Sequence, residues 1–252
     1  MLQRDAFIEE ITKKLNQDQN IYFLSADFGA AALDDLRERF PNNFFHCGIS
    51  EQTMLDLAAG LALEGSQVFV YAMAPFLSLR AIEQTKCGAG LMNLPICLLS
   101  VGIGLGYADA GPTHYSTEDF ACFRAIAGSS IYTPADVPST KLIAEDILKH
   151  PKFSYIRLDR DVLPKISPEI TREDFNKGFK IFGKIEDKKI ALISHGKMLH
   201  KCLEIYNKDP NRFFCVDIFR SKPFPSNLAS MISLCAGIVV IDEQSPSGNL
   251  SS

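Results

Sequence analysis

Short apolar runs alternate with stretches in which apolar residues recur at helical spacing. The clearest run is 95–101, where nearly every side chain is apolar, as in a strand buried on both faces. Phe7, Ile11 and Leu15 instead return every four positions and predict a helix ahead of a strand at 21–24. Strands bounded by helices in this way predict an α/β fold with a doubly wound, mostly parallel sheet that helices cover on both faces.

The same alternation predicts the other elements of a first unit, which spans residues 1–165. Its further predicted strands are 43–46, 68–71, 131–132 and 153–158. Its further predicted helices are 33–40, 51–63, 76–87, 120–126 and 136–149. Ser116 and Asp119 have the spacing of a capping box ahead of the helix at 120–126.

A linker is predicted at 166–176, within a stretch rich in proline and charged residues. The alternation then resumes in a second, smaller α/β unit over 177–252. Its predicted strands are 190–194, 213–216 and 238–241, and its predicted helices lie near 197–207 and 226–234. Because its last strand would lack a covering helix, we expect this unit to be incomplete, with the chain truncated or disordered beyond this point.

Composition narrows the class of protein. The chain is 46% hydrophobic and 22% charged with a net charge of −4, which excludes a disordered chain and a broadly basic nucleic-acid binder. No apolar run reaches the roughly 18 residues of a membrane-spanning helix, and no signal peptide is evident, so we expect a cytoplasmic protein. The seven cysteines include no Cys-x-x-Cys pair, and we expect buried, inert thiols rather than a zinc or redox site.

A glycine-rich loop follows the strand at 95–101 and ends in His114. It is not a dinucleotide fingerprint, because Tyr107 stands where the last glycine of G-x-G-x-x-G belongs, and it lacks the Gly-Lys-Ser/Thr of a P-loop. Ligands of open α/β sheets bind at the carboxyl ends of strands, where this loop lies. The loop is therefore either a ligand-binding segment that presents one titratable side chain, or a flexible turn with a solvated histidine.

A second motif, Gly48-Ile49-Ser50-Glu51-Gln52, lies between a predicted strand and a predicted helix. Glycine makes the turn, and Glu51 falls on the first turn of the helix. A carboxylate at that point complements the helix dipole and caps free amides. Taken alone, the motif predicts only a helix start.

Taken together, the two motifs resemble the pyrimidine-binding domain of thiamine-diphosphate enzymes, and of transketolases in particular. The shared order is strand, Gly-Ile-Ser-Glu-Gln, helix, strand, aromatic segment, strand and Asp-Ala-Gly-Pro-Thr-His. Residues 1–165 resemble that domain, with a further similarity at Thr133-Pro134-Ala135-Asp136. Residues 177–252 resemble the start of the transketolase C-terminal domain.

The resemblance implies a set of cofactor contacts. Glu51 corresponds to the catalytic glutamate that hydrogen-bonds N1′ of the cofactor's aminopyrimidine. Ile49 corresponds to an apolar residue that holds the cofactor in its bent shape, and Phe76 to an aromatic residue that packs on the pyrimidine ring. Asp27 lies where the family has an acidic residue near the cofactor.

The resemblance also implies substrate contacts. His114 corresponds to a histidine that contacts the sugar near the reacting carbon, which gives it a catalytic role as well. Arg160 and Arg4 fall where transketolases have phosphate-binding arginines, and the guanidinium fork suits a phosphate.

Three positions depart from the transketolase pattern. Ala110 replaces the aspartate before Gly-Pro-Thr-His, Gly102 replaces a histidine, and Ala31 replaces a phosphate-binding serine. Each change removes a polar contact to a sugar substrate. We therefore expect altered or relaxed handling of the usual phosphorylated ketoses.

The diphosphate half of a transketolase has no counterpart in the sequence. The family binds Mg²⁺ and the diphosphate through Gly-Asp-Gly followed by Asn-Asn, and no Gly-Asp-Gly occurs here. The resemblance thus implies the C-terminal subunit of a split, two-chain transketolase. Thiamine diphosphate would lie at the interface with an N-terminal diphosphate-binding subunit that supplies the magnesium ligands, and two such pairs would form an α₂β₂-like assembly.

The function implied is the transfer of a two-carbon ketol unit between sugars, by an enzyme active only with its partner subunit. Two other enzymes share the domain order, namely 1-deoxyxylulose-5-phosphate synthase and the β subunit of 2-oxoacid dehydrogenases. Gly-Pro-Thr-His speaks against the dehydrogenase. A non-enzymatic alternative is an orphan pyrimidine domain that serves as a binding or scaffold protein.

Overall fold

Helices and strands alternate along the computed structural model of the protein, which describes residues 1–26 and 31–252. The helices are α1 (Gln3–Leu15), α2 (Ala32–Arg39), α3 (Glu51–Leu63), α4 (Ile82–Gln84), α5 (Asp119–Ala125), α6 (Val137–Lys149), α7 (Arg172–Lys177), α8 (Met198–Lys208) and α9 (Leu228–Ile232). The strands are β1 (Ile21–Ser25), β2 (Phe44–His46), β3 (Gln67–Met73), β4 (Ile96–Val101), β5 (Ser130–Tyr132), β6 (Ser154–Leu158), β7 (Lys180–Phe182), β8 (Ile190–Ser194), β9 (Phe213–Asp217), β10 (Arg220–Lys222) and β11 (Gly237–Val240). Two π-helical segments, Phe76–Arg80 and Thr85–Leu91, flank α4, so the helix predicted near 76–87 is present but interrupted at Ala81 and mostly π-helical.

Seven strands form the larger sheet, in the order β10-β5-β6-β4-β3-β1-β2. Its pairs are parallel except that β10 runs antiparallel to β5. All residues of β4 are buried, and this strand lies between β3 and β6 in the middle of the sheet. The apolar run at 95–101 thus forms the central strand, and the predicted α/β fold with a mostly parallel sheet is confirmed.

Helices pack on both faces of this sheet, as predicted. On one face, Phe7 and Ile11 of α1 share a buried cluster with Ile143 of α6. On the other face, Met54 of α3 and Phe123 of α5 belong to a second buried cluster. Burial on two faces explains why the strands carry continuous apolar runs rather than an alternating pattern.

A second sheet of four strands follows, in the order β11-β8-β9-β7. The three strands predicted in this part of the chain are confirmed as β8, β9 and β11. The sequence missed β7, which pairs antiparallel with β9 and has only three residues, Lys180–Phe182. A strand this short shows too few positions for a period to be read.

The two halves of the chain are joined through the larger sheet. β10 follows β9 in sequence, yet it pairs with β5, with Arg220 opposite Tyr132. The stretch predicted as a linker includes the start of α7, whose first turn is capped by reciprocal hydrogen bonds between Thr171 and Asp174. Ile166 and Phe175 are buried in this stretch, so it packs against the rest of the molecule.

The capping box predicted for Ser116 and Asp119 does not form. The Ser116 hydroxyl is buried without a hydrogen-bond partner among the residues described, and Glu118 occupies the cap position of α5. The Asp119 carboxylate is instead buried against Arg157, whose Nε donates to Oδ2 at 2.8 Å, and Tyr155 donates to the same oxygen. The Asp119 side chain, which local spacing assigned to a helix cap, therefore forms a long-range ion pair with Arg157 instead.

The cysteines divide into three environments. Cys97, Cys202 and Cys215 are buried as expected, and burial raises the pKa of Cys202 to about 11 and that of Cys215 to about 12. Three more are half-buried, while Cys87 is exposed, which contradicts the expectation for that residue. Within 1–26 and 31–252, no helix is long and apolar enough to span a bilayer, and no cluster of three or more His, Cys, Asp or Glu side chains could hold a metal.

Candidate active site

The carboxyl ends of three adjacent parallel strands, β3, β1 and β2, border a cavity of about 360 Å³. Its wall consists of residues that end these strands or follow them: Ala26, His46, Gly48, Ile49, Glu51, Ala72, Met73 and Phe76. This is the edge of an open α/β sheet at which ligands bind. Three residues predicted as cofactor contacts, Ile49, Glu51 and Phe76, are thus brought together in one cavity.

Glu51 is the first residue of α3 and is only 2% exposed. The chain reaches this position through Gly48, whose φ of +68° belongs to the left-handed region that favours glycine. The Ser50 hydroxyl donates to the carbonyl of Cys47 and closes the turn. The N-terminal end of the helix dipole stabilises a carboxylate at this position, so the fold itself favours an acid that faces the cavity.

Arg80 is the residue of this site that the sequence analysis missed. Its Nη1 donates to Glu51 Oε2 at 2.7 Å, and its Cζ lies 4.2 Å from the centre of the Phe76 ring. The Arg80 side chain is 40% exposed, whereas that of Glu51 is 3% exposed. Spacing could have placed Arg80 beside Phe76, since residues four apart share a helix face, but it gives no sign of the contact with Glu51, which lies 29 positions away.

Ile49 and Phe76 supply apolar wall to the cavity. Ile49 is 84% exposed, which is unusual for a large aliphatic side chain and leaves its surface accessible to a ligand in the cavity. Phe76 is half-buried at the start of the first π-helical segment. Asp27, the remaining predicted cofactor contact, lies outside the described residues.

His114 adjoins the cavity through Phe76. The two rings meet edge to face, with centroids 5.2 Å apart and an interplanar angle of 74°. The His114 Nδ1 is 2.9 Å from the Thr113 hydroxyl, which orients the imidazole. The glycine-rich loop predicted to bind a ligand thus places its histidine beside the Glu51 cavity, one aromatic ring away.

Arg160 follows β6, contacts that loop at Gly106 and Asp109, and does not line the cavity. Its guanidinium pairs with Asp109 and stacks on Tyr107, with Cζ 4.6 Å from the ring centre. The hydrogen bond from Arg160 lowers the pKa of the Asp109 carboxyl. Arg160, the residue predicted to bind phosphate, is therefore paired with Asp109. Asp109 lies one position before Ala110, and Ala110 is exposed.

Tyr107 explains one departure from the family pattern. Gly102 has φ +79°, and a Cβ built on it would lie 2.0 Å from the Tyr107 ring. The ring occupies the space that a side chain at 102 would need. A side chain at 102 and the Tyr107 ring in its present position therefore exclude each other.

Arg4 and Ala31 lie together in a different groove, of about 540 Å³, between α1 and α2. Arg4 Nε donates to Asp5 at 2.8 Å within this groove. The sequence assigned both positions to phosphate binding, and the structure groups them away from Glu51.

The Glu51 cavity can hold a flat heteroaromatic ring. It offers an aromatic face, an aliphatic wall and one buried carboxyl group, whose Oε1 accepts no hydrogen bond from residues 1–26 or 31–252. A carboxyl oxygen free in this way can bind a ring nitrogen and exchange a proton with it.

Comparison with protein families identifies residues 1–165 as matching "Transketolase, pyrimidine binding domain". One of the subunits of an apulose-4-phosphate transketolase from Phocaeicola vulgatus is 31% identical over 164 residues, covering 65% of this chain and 53% of the relative. The 6-deoxy-6-sulfo-D-fructose transketolase subunit SqwH from a Clostridium species is 29% identical over 167 residues, covering 66% and 52%. The chain thus spans about half the length of these relatives.

Solved structures show the same fold. A split-gene transketolase described as an inactive β₄ tetramer superposes with a TM-score of 0.83 at 26% identity, covering 99% of this chain and 82% of that one. The transketolase of Leishmania mexicana gives a TM-score of 0.83 at 16% identity, covering 98% of this chain and 39% of that one.

Proposed function

The chain belongs to the family of transketolase pyrimidine-binding domains, and from that premise we propose that it is one subunit of a split, thiamine-diphosphate-dependent transketolase. It transfers a two-carbon ketol unit between sugars, together with a separate diphosphate-binding subunit. The observation that carries this proposal is the buried Glu51 carboxyl, which lines an apolar cavity beside Phe76 at the carboxyl edge of the sheet.

The described residues fit the aminopyrimidine end of the cofactor. The ring needs an aromatic or aliphatic surface on its face and a carboxyl at its N1′ edge, and Phe76, Ile49 and Glu51 provide these in one cavity. Among residues 1–26 and 31–252, none donates to Oε1 of Glu51, so this is the atom available to the ring nitrogen. The Glu51 side chain is buried, and burial strengthens a hydrogen bond to a charged group.

Each residue then has a defined task. Bound thiamine diphosphate supplies the carbon nucleophile that takes up and releases the two-carbon unit. Glu51 binds N1′ through Oε1 and holds or releases a proton at that nitrogen. Phe76 and Ile49 fix the plane of the ring and keep water from it. His114, held by Thr113 next to Phe76, donates a hydrogen bond to a sugar hydroxyl near the reacting carbon.

The need for a partner is supported by the relatives and by the sequence. Two of the matched proteins are named as subunits, and a structural relative is named as the product of a split gene. In transketolases a Gly-Asp-Gly followed by Asn-Asn holds magnesium and the diphosphate; this sequence contains no Gly-Asp-Gly, and its Asn42-Asn43 pair has no such motif before it. The partner subunit would hold Mg²⁺, and a twofold pairing gives an α₂β₂-like assembly in the cytoplasm.

Recognition of the sugar is assigned to the glycine-rich loop beside the cavity and to the separate groove between α1 and α2. Arg160, once released from Asp109, provides a guanidinium for a phosphate at the far end of the substrate. Arg4 provides a second one in the groove that contains Ala31. The replacement of polar contacts at 31, 102 and 110 supports altered or relaxed handling of the usual phosphorylated ketoses.

Co-expression tests this proposal. The chain is produced with a diphosphate-binding transketolase subunit encoded beside it, and ketol transfer is screened over sugar pairs with thiamine diphosphate and Mg²⁺. We expect transfer only when both subunits are present. Transfer by this chain alone, or no transfer by the assembled pair with any ketose donor, would contradict the proposal.

A further inference from the structure

Arg80 makes the one charged contact to Glu51 formed within 1–26 and 31–252. The bond goes to a single oxygen, with Nη1 2.7 Å from Oε2. The guanidinium lies over the Phe76 ring, 4.2 Å from its centre, and its outer part reaches solvent. Stacking of this kind restricts the guanidinium to one plane, so the bond to Glu51 is made from a fixed position.

This contact decides which way the Glu51 carboxylate faces. A glutamate side chain has three rotatable bonds, and a terminal carboxylate rotates freely unless a partner holds it. With Oε2 held by Arg80, rotation about the last bond would break a charge-assisted hydrogen bond at a side chain that is 3% exposed. Oε1 is thereby left as the oxygen for a ligand in the cavity.

We propose that Arg80 is a positioning residue of this site, which holds Glu51 by Oε2 and presents Oε1 to the ring nitrogen of an aminopyrimidine. The inference rests on the proposed function. It predicts that the Arg80–Glu51 pair persists when a ligand binds, since a carboxylate can accept hydrogen bonds at both oxygens. The opposite arrangement, in which Arg80 competes with the ring for Glu51, predicts tighter binding when Arg80 is removed.

Thiamine is the probe that separates these cases. It carries the aminopyrimidine without the diphosphate, so its contact with Glu51 requires neither magnesium nor the partner subunit. Binding to the full chain is followed by ligand-observed NMR, which detects millimolar dissociation constants. The variants are Arg80→Met, Arg80→Lys, Glu51→Gln and the double variant Glu51→Gln/Arg80→Met. Lys86→Met is the matched control, because Lys86 is exposed in the neighbouring segment and its loss removes the same charge.

We expect R80M to weaken thiamine binding about tenfold, which corresponds to about 1.4 kcal/mol. R80K keeps most of the affinity because it keeps a cation near Oε2, and K86M binds like the wild type. In the Glu51→Gln background, the change at Arg80 alters binding less than twofold, because a positioning residue acts only through its target. Melting temperatures establish that each variant is folded, and Arg80→Ala, which also removes the cation, carries the test if R80M melts early.

Every other result contradicts either the positioning role of Arg80 or the proposed contact between Glu51 and the cofactor. Unchanged or tighter binding by R80M, with Glu51→Gln weakened, removes the positioning role and leaves the proposed function standing. If changing Arg80 weakens thiamine binding equally in both backgrounds, Arg80 contacts the ring itself. If K86M weakens thiamine binding as much as R80M does, the cause is a general charge effect. Either result rejects the inference. No effect of Glu51→Gln, or no saturable binding by the wild type, rejects the proposed cofactor contact and the inference with it.

Discussion

Arg157 and Asp119 form an ion pair whose side chains are both fully buried, with Nε 2.8 Å from Oδ2. The pair joins β6 to the start of α5. The Arg157 guanidinium also contacts His195, with Nη1 3.2 Å from His195 Nε2. Since His195 follows β8, this polar network ties the larger sheet to the smaller one.

Arg157→Met should destabilise the protein by about 3–5 kcal/mol, because it leaves the Asp119 carboxylate buried without its counter-charge. Arg172→Met removes an exposed arginine that pairs with Glu145 and should cost at most about 1 kcal/mol. Urea unfolding of both variants measures the difference. Equal small losses would show that the buried pair does not stabilise the fold.

The double variant Arg157→Met/Asp119→Leu should recover much of that loss. Replacing a whole buried ion pair by apolar side chains is often neutral, because both desolvation costs disappear together. A double variant as unstable as Arg157→Met alone would point to Thr133 and His195, which also lose a hydrogen bond to Arg157, since Tyr155 keeps its bond with Ser100.

Acid should weaken the fold through His195. Burial lowers the pKa of this imidazole below its usual value of about 6.5. The unfolded chain therefore binds a proton at a higher pH than the folded protein does, and stability falls as the pH drops below about 6.5. Arg157, Asp242, Ser221 and Phe120 surround the ring and the Asp119 carboxylate also acts on it electrostatically, so the new charge meets one cation and two anions.

The variant His195→Gln isolates this effect. The stability advantage of the wild type over His195→Gln should shrink as the pH falls from 7.5 to 5.5, with a limiting slope of about 1.4 kcal/mol per pH unit. Urea unfolding at a series of pH values measures it. Parallel stability curves for the two proteins would contradict the assignment.

Gly102→Ala should destabilise the loop by about 1–2 kcal/mol through its positive φ alone, with a further cost from the Tyr107 ring. Tyr107→Ala in the same chain should relieve the collision but not the backbone strain. A smaller loss from Gly102→Ala in the Tyr107→Ala background than in the wild type is the expected result. Equal losses in both backgrounds would show that the ring does not occupy that space.

Asp109→Asn should lower the KM for a phosphorylated ketose donor severalfold relative to the same donor without phosphate. Asp109 competes with substrate for the Arg160 guanidinium, and the amide binds it less strongly than the carboxylate does. The measurement is the ratio of KM values in the assembled enzyme. An unchanged ratio would remove Arg160 from phosphate recognition.

Continuous patterns made the fold predictable. The apolar run at 95–101 identified the central strand, and Gly48 followed by Glu51 identified the turn into α3 and the acid that lines the cavity. These features are local, so a short window of sequence contains all of the information. β7 and β10 were missed because each has three residues and owes its existence to pairing with a distant strand.

Contacts between distant residues were the unpredictable part of the site. Arg80 belongs to no motif, and its importance follows from where a π-helical turn places it relative to Glu51. Asp119 fits a helix cap by spacing, yet the buried Arg157 binds it more strongly than a free amide would. Such pairings depend on the folded geometry, which spacing along the chain does not encode.

The most direct test of the central claim is turnover by Glu51→Gln in the assembled enzyme, beside Glu64→Gln, which changes an exposed carboxylate at the other end of α3. Glutamine matches glutamate in shape and can still accept the hydrogen bond from Arg80, so both variants should melt within a few degrees of the wild type. Because a positioned acid contributes about 10²–10⁴-fold to a proton transfer, ketol transfer by Glu51→Gln should fall at least 100-fold while Glu64→Gln keeps its rate. Near-normal transfer by a folded Glu51→Gln enzyme would contradict the assignment of Glu51 as the group that activates the cofactor.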